Sequence, residues 1–400
     1  IMFTMAQAQE VIAKFIHTAD WHVGMENYSR VDPQTGLSTR LGDFLRSIDF
    51  VVDYAIKEKV DFFLFAGDAF KTPEPTPTHQ REFAKRILKL SRLNIPCVLL
   101  VGNHDTPNAF GKANSLDIYS ALEIENVHVI REPQLITIKN VQILGIPWVS
   151  RKEFGEIDTL IEPLYNQVKS DLPLVVTAHA SVEGAVFGSE RSVSLGGDMV
   201  ISKTSLTKHP QTAYVALGHI HKRQVVQVQP PILYSGSIER VDFGEENETK
   251  SFEIVEILKQ VQDDKITYSA THTPIPTPAR RFLTIKTTIS GSDPDPTATI
   301  LSEIKKQDFK DAVVKLIVDF PPNSNGDIKI NEIKKALEDA FIIAGINKNI
   351  EKTNRNQLGD GVNAETLSPE DLLEKYFQSK GFSESRINKL KQLAKTLAEE

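Results

Sequence analysis

Apolar positions along the first two thirds of the chain fall into short runs, each closed by a polar or glycine-bearing stretch. Residues 13–18, 60–66, 96–101, 141–146, 172–177, 213–217, 224–228, 232–234 and 252–258 are such runs and predict β-strands. Between the first two, Leu41, Phe44, Leu45, Ile48, Val51, Val52 and Ala55 recur at three- and four-residue steps, the stripe of an amphipathic helix. Strand, helix, strand predicts a layered α/β domain, set here at residues 11–270. Residues 271–279 then bring in Pro274, Pro276 and Pro278. A residue without an N–H cannot pair in a central strand, so this stretch is expected to be a linker.

A second, smaller pattern occupies residues 280–353: strand 281–289, helix 297–307, strand 312–319, helix 329–340 and a strand near 346–353. That βαβαβ order predicts a small sheet with helices on one face. Residues 354–366 offer almost nothing to bury and read as a flexible tether. A helical tail over 367–400 closes the chain. Ser368-Pro369 forms a helix start, Gly381 is placed to end that helix, and Ile387, Leu390, Leu393, Ala394 and Leu397 line one face of the next.

Composition narrows the class. Forty per cent apolar and 25% charged residues in a 400-residue chain are ordinary for globular domains, and the single cysteine, Cys97, rules out an internal disulfide and reads as a buried small hydrophobe. No apolar run approaches the roughly 18–20 residues of a membrane span. The first ten residues lack a basic segment followed by a long apolar one, so a cytoplasmic location is expected. A net charge of −7 argues against a surface coated for nonspecific nucleic-acid binding. Residues 276–355 run the other way, with 13 basic against 11 acidic residues.

The chemistry gathers in five polar clusters, each just after an apolar run: Asp20-Trp-His22, Gly67-Asp68, Gly102-Asn-His-Asp105, His179 within Thr177-Ala-His-Ala180, and Gly218-His-Ile-His221. Ligands of α/β sheets collect at the carboxyl ends of strands, so all five are expected to converge on one rim. Asp, His and Asn are donors suited to borderline divalent metals, and their number fits two ions sharing a carboxylate. Asp20/His22 and His219/His221 are two apart, which on extended segments points both side chains the same way. Gly67, Gly102 and Gly218 stand where a sharp turn off a strand needs glycine's backbone freedom. Among the remaining histidines, His17 is expected in the core, and His79, His128, His209 and His272 on the surface.

These clusters resemble the five signature blocks of the calcineurin-like metallophosphoesterase superfamily. Ile16–Gly24, Val176–Ser181 with Gly188-Ser-Glu190, Leu217–Lys222 and Tyr234–Glu245 further resemble its SbcD-type nuclease branch, over about residues 13–260. The resemblance implies an α/β fold: a metallophosphoesterase β-sandwich flanked by helices, a small α/β capping domain that helps hold DNA, and a C-terminal helix-loop-helix. It implies one metal site of Asp20, His22, Asp68 and His221, and a second of Asp68, Asn103, His179 and His219, with manganese the usual ion. His104 would protonate the leaving oxygen, with Asp105 orienting its ring. Lys71 stands where many relatives carry a histidine or an acidic residue. By the same resemblance the chain would be a 3′-5′ exonuclease and single-strand endonuclease in DNA repair, cytoplasmic and nucleoid-associated. Its tail would bind an SbcC-type ABC ATPase, and helices near 76–92 and 112–123 would form a homodimer. Arg280, Arg281, Lys286, Lys305, Lys306 and Lys310 are the candidate phosphate contacts. The competing enzyme reading is an esterase of small phosphodiesters or nucleotides, because a metal core alone does not choose its substrate.

Overall fold

The computed structural model describes residues 10–107, 111–149, 157–188, 200–262, 265–322, 324–350 and 369–398. They divide into two compact units: Ile1–Thr284 with Phe309–Lys315 and Leu337–Ala344, and Ile285–Asp308 with Leu316–Ala336 and Gly345–Glu400.

In chain order the strands of the larger unit are β1 (Glu10–Thr18), β2 (Phe62–Phe65), β3 (Cys97–Leu100), β4 (Val127–Ile130), β5 (Gln134–Ile138), β6 (Val141–Ile146), β7 (Leu174–His179), the short pair β8 (Ser181–Val182) and β9 (Val200–Ile201), β10 (Thr212–Gly218), β11 (Gln224–Val228), β12 (Pro231–Tyr234), β13 (Ser251–Gln262) and β14 (Lys265–Pro276). They build two six-stranded sheets, ordered β14-β13-β1-β2-β3-β4 and β11-β12-β10-β7-β6-β5. β1 to β4 run parallel, as do β6, β7, β10 and β12, so their carboxyl ends gather at one rim of each sheet.

Alternation along the strands explains why the sheets stack. Phe15, Phe62, Leu64, Val98 and Leu100 of the first sheet face Val141, Ile143, Val175, Tyr214 and Ala216 of the second, and Phe15 stacks on Phe62 at 4.5 Å. The residues between them point outward. Ile16, Phe63, Phe65 and Leu99 lie under α1 (Thr39–Lys57) and α2 (Pro77–Arg92), where the predicted stripe from Leu41 to Ala55 is buried throughout. On the other outer face Leu144, Val176, Ala178, Val215 and Leu217 pack with Ile157, Ile161 and Tyr165 of helix Ile157–Tyr165. Each fully buried side chain of this kind contributes roughly 1.5–3 kcal/mol. The predicted sandwich flanked by helices is thus what folds. Cys97 has no exposed surface, and burial pushes its thiol pKa up.

Two features depart from the sequence reading. Residues 271–276 are not a linker but the second half of β14, paired with β13 through Pro274 opposite Glu253 and Pro276 opposite Ser251. β14 is an edge strand, and an edge has one unpaired side where a missing N–H is tolerated. β4 and β5 were not anticipated, since each is short and only partly buried.

Beyond β14 the chain follows the expected order: β15 (Phe282–Thr288), helix Pro296–Lys305, β16 (Val313–Phe320), helix Ile330–Ala336 and β17 (Ile342–Ile350), with sheet order β15-β16-β17. The last strand starts earlier than predicted, and residues 351–353 of the predicted strand lie outside the described residues. In the smaller unit Ile285, Ile300, Ile304, Leu316, Val318 and Ile333 are buried. The tail holds helices Pro369–Ser379 and Glu384–Ala398, joined by stacked Phe377 and Phe382 and by the Lys391–Glu374 ion pair. Gly381, at φ +72°, takes the left-handed conformation that ends the first of them. The proposed tether 354–366, together with Leu367 and Ser368, lies outside the described residues. Among the described residues no helix is long and apolar enough to cross a membrane.

Candidate metal centre

Asp20 and His22 follow β1, Asp68 follows β2, Asn103 and His104 follow β3, His179 ends β7, and His219 and His221 follow β10. The rim therefore draws on both sheets, not on one. Asp20, His22, Asp68 and His179 are buried, whereas Asn103, His104, His219 and His221 keep part of their surface and form the open side.

The local backbone is unusual. Asp20 (φ 54°), His22 (φ 43°), Asp68 (φ 61°) and His219 (φ 99°) all occupy the left-handed region, at a cost of about 1–3 kcal/mol each. The expectation that Asp20 and His22 share a face because the segment is extended is therefore incorrect. Their direction comes from these turns, pinned by Asp20 N–H donating to the Gly67 carbonyl (2.9 Å) and His22 N–H to the Asp68 carbonyl (3.1 Å). His219 and His221 likewise serve different neighbours. The glycines also need a revised reason: only Gly67 has positive φ, at +102°. At Gly102 a Cβ would lie 2.2 Å from Asp68 Oδ1, and at Gly218 2.1 Å from the Ala66 carbonyl oxygen, so space and not turning excludes a side chain.

The donor atoms form two groups that meet at Asp68. On one side His22 Nε2 lies 2.9 Å from His221 Nε2 and 3.7 Å from Asp68 Oδ2, with Asp20 close enough to share an ion with both histidines. On the other, Asn103 Oδ1 lies 2.9 Å from His179 Nε2 and 3.1 Å from His219 Nδ1, while His179 Nε2 is 3.4 Å from Asp68 Oδ1. His179 Nδ1 sits 2.8 Å from the Ala66 carbonyl, which can only accept, so that nitrogen carries the hydrogen. A neutral His179 then aims its Nε2 lone pair at two oxygens that are themselves acceptors. Such an array calls for a cation, and divalent metal ions fit it.

With no cation between them, the acids draw a proton onto the His179 ring instead. Burial pushes His179 down, yet Asp68 and Asp20 outweigh it and raise the ring to about 9. Burial also opposes the charge on Asp68, but His179 and His22 hold its carboxyl well below the usual range. Burial lifts Asp20 to about 6.

His104 N–H donates to Asp68 Oδ1 (2.8 Å), and its Nδ1 faces the Lys71 carbonyl at 2.9 Å. What Lys71 contributes is its backbone. Asp105 does not orient His104. Fully buried, it accepts the N–H groups of Asp68 (3.0 Å), Ala69 (3.2 Å), Phe70 (3.2 Å) and Gly102 (3.0 Å), so it ties the loops after β2 and β3 together. Glu245, which the sequence reading did not single out, meets His221 Nδ1 at 2.8 Å, and the Trp148 ring lies 5.3 Å from that of His219. His17 is buried as expected, between Tyr214 Oη (2.9 Å) and the Leu217 carbonyl (3.1 Å), whereas His272 is half-buried against Glu253.

Residues 13–223, more than half of the chain, match the family described as calcineurin-like phosphoesterase. The chain belongs to that family. Its members use divalent metals, and among the described residues the groupings Asp20/His22/His221, His22/Asp68/His104 and Asp20/Asp68/His179 could hold them. Among curated relatives, the SbcD component of nuclease SbcCD from Bacillus subtilis (strain 168) is 28% identical over 61% of this chain and 66% of its own length. The DNA double-strand break repair protein Mre11 of Archaeoglobus fulgidus is 27% identical over 62% of this chain and 54% of its own. The SbcD component of nuclease SbcCD from Escherichia coli (strain K12) is 24% identical over 60% and 64%. The chain thus spans between about half and two thirds of the relatives it matches.

Proposed function

We propose that this calcineurin-like phosphoesterase is a two-metal DNA nuclease, cleaving phosphodiester bonds as a 3′-5′ exonuclease and single-strand endonuclease during repair of DNA ends. The observation that carries the reading is the pair of donor groups bridged by Asp68 beside a half-exposed His104. Two divalent ions held there, manganese by preference, supply charge neutralisation for the phosphodiester and a water acidic enough to ionise near neutral pH.

The chain's own part is positional. Asp20, His22 and His221 hold one ion, Asn103, His179 and His219 the other, with Asp68 shared. The Lys71 carbonyl fixes the hydrogen of His104 on Nδ1, which leaves Nε2 to carry a proton to the leaving oxygen. Asp105 keeps the loop bearing Asn103 and His104 in register with Asp68.

DNA as substrate rests on the names of the relatives, two components of SbcCD nucleases and an Mre11 repair protein. We assign residues 11–276 to the nuclease, 280–353 to a capping domain that holds DNA, 354–366 to a linker and 367–400 to docking on an SbcC-type ABC ATPase, within a homodimer at the nucleoid. Metal analysis of the purified chain, with cleavage assays on single-stranded, hairpin and blunt duplex DNA, tests the reading. Hydrolysis of small phosphodiesters with no cleavage of any DNA would overturn it.

A further inference from the structure

The two halves of the donor cluster are backed by different groups. The outer nitrogen of His179 meets a neutral amide carbonyl, that of Ala66. The outer nitrogen of His221 meets a carboxylate, Glu245 Oε1, at 2.8 Å. Glu245 has no exposed surface, and its second oxygen is held by Lys250 Nζ at 2.7 Å and by the Val241 N–H at 3.0 Å. Buried Lys250 also donates to the His221 carbonyl at 3.3 Å, so one ion pair grips both ring and backbone of the same histidine. That carbonyl takes a further bond from Ser237 N–H (3.0 Å), and the chain passes so close at Gly236 (φ +75°) that a Cβ would stand 2.6 Å from the same oxygen.

With both oxygens engaged, Glu245 has none left to bind an ion. A carboxylate only accepts, so the hydrogen of His221 stays on Nδ1, and Nε2 is kept as a lone pair facing His22 Nε2, 2.9 Å away. An imidazole that donates to a carboxylate is a more basic ligand than one that donates to an amide. The oxygen donors differ as well: the neutral amide of Asn103 belongs to the His179/His219 side alone, while Asp20, like Asp68, lies within reach of both sides.

Resting on the two-metal reading, we propose that Glu245 is a positioning residue that makes the Asp20/His22/His221 side the tighter divalent-cation site, so that the Asn103/His179/His219 side fills second. The test titrates Mn²⁺ into the metal-free full-length chain, reading bound and free ion by electron paramagnetic resonance. Wild type should show two affinity classes. Glu245→Gln, which keeps an acceptor but loses the charge, should weaken the tighter class by about 10–100-fold and leave the other unchanged. Glu245→Asp should recover part of the loss. Because Glu245→Gln leaves buried Lys250 with Glu248 Oε2 (2.7 Å) as its remaining carboxylate, the double variant with Lys250→Met gives the same reading without that altered cation. Wild-type constants for both classes in these variants, equal weakening of both, or a lower melting temperature with neither class changed would overturn the proposal. A wild-type chain that binds no Mn²⁺ would overturn the two-metal reading itself.

Discussion

His104 stands half-exposed, with its backbone on Asp68, its Nδ1 on a carbonyl and its ring 4.9 Å from that of His22, so replacing the ring takes away the proposed proton donor and none of the proposed ligands. His104→Ala should retain both metals and lose about 10²–10⁴-fold in cleavage, whereas Asp68→Ala should lose metal as well. Metal stoichiometry beside turnover separates them, and near wild-type cleavage by His104→Ala would remove the acid from the mechanism. His17 offers a pH test away from the ligands. Burial lowers its pKa from 6.5 to about 4, against a raising pull from Glu253. Between these values the unfolded chain binds the proton and the folded one does not, so stability present above pH 6.5 is lost as pH falls to about 4, on the order of 3 kcal/mol. His17→Asn should melt lower at pH 7 but show a flatter decline over that window; parallel melting curves for the two proteins would contradict this. The ligand candidates could be read because each follows an apolar run that ends in a polar cluster. Asp105 and Glu245 could not be assigned their places, because one acts on backbone N–H groups and the other on the far nitrogen of a ring, and neither contact leaves a spacing in the sequence.

At the scale of elements, the segment after β14 divides its basic residues between two tasks. Arg280, first among the candidate phosphate contacts, is in fact committed to the fold. Its Nε and Nη2 each reach an oxygen of Asp43 on α1 at 2.5 Å, its Nη1 donates to the Asp311 carbonyl at 2.8 Å, and the guanidinium lies over the Phe341 ring at 3.5 Å. Lys286 and Lys306 are about two-thirds exposed and pair with the neighbouring acids Asp319 and Glu303. Arg280→Ala should therefore lower the melting temperature and leave the salt dependence of DNA binding unchanged. Neutralising Lys286, Lys305, Lys306 and Lys310 should do the reverse, flattening the log–log salt slope by about 0.9 per lost duplex contact. A flatter slope for Arg280→Ala alone would reverse the assignment. The prolines of residues 271–279 misled for a related reason: composition shows that a residue lacks an N–H, but not whether its strand has a neighbour on that side.

At the scale of the molecule, the tail is the piece least able to stand alone. Its helices are 11 and 15 residues long, near the roughly 12–15 below which isolated helices rarely hold in water, and Leu372, Leu373, Tyr376, Phe377 and Leu390 give them an apolar side to cover. Deleting residues 364–400 should leave metal binding and cleavage of single-stranded DNA intact while abolishing the stable complex with an ABC ATPase. Co-purification of the truncated chain with the ATPase at undiminished yield would assign that contact elsewhere.

Cys97 turns the first sheet into its own timepiece. The thiol is shut inside β3, between β2 and β4, on the strand that delivers Asn103 to the rim. A thiol-trapping reagent can reach it only when those ladders part, so the labelling rate counts openings of the strand with no probe added to the protein. Mn²⁺, by favouring the closed chain, should slow that rate in proportion to its occupancy. Labelling at the same rate with and without Mn²⁺ would mean that the strand opens without disturbing the proposed metal site.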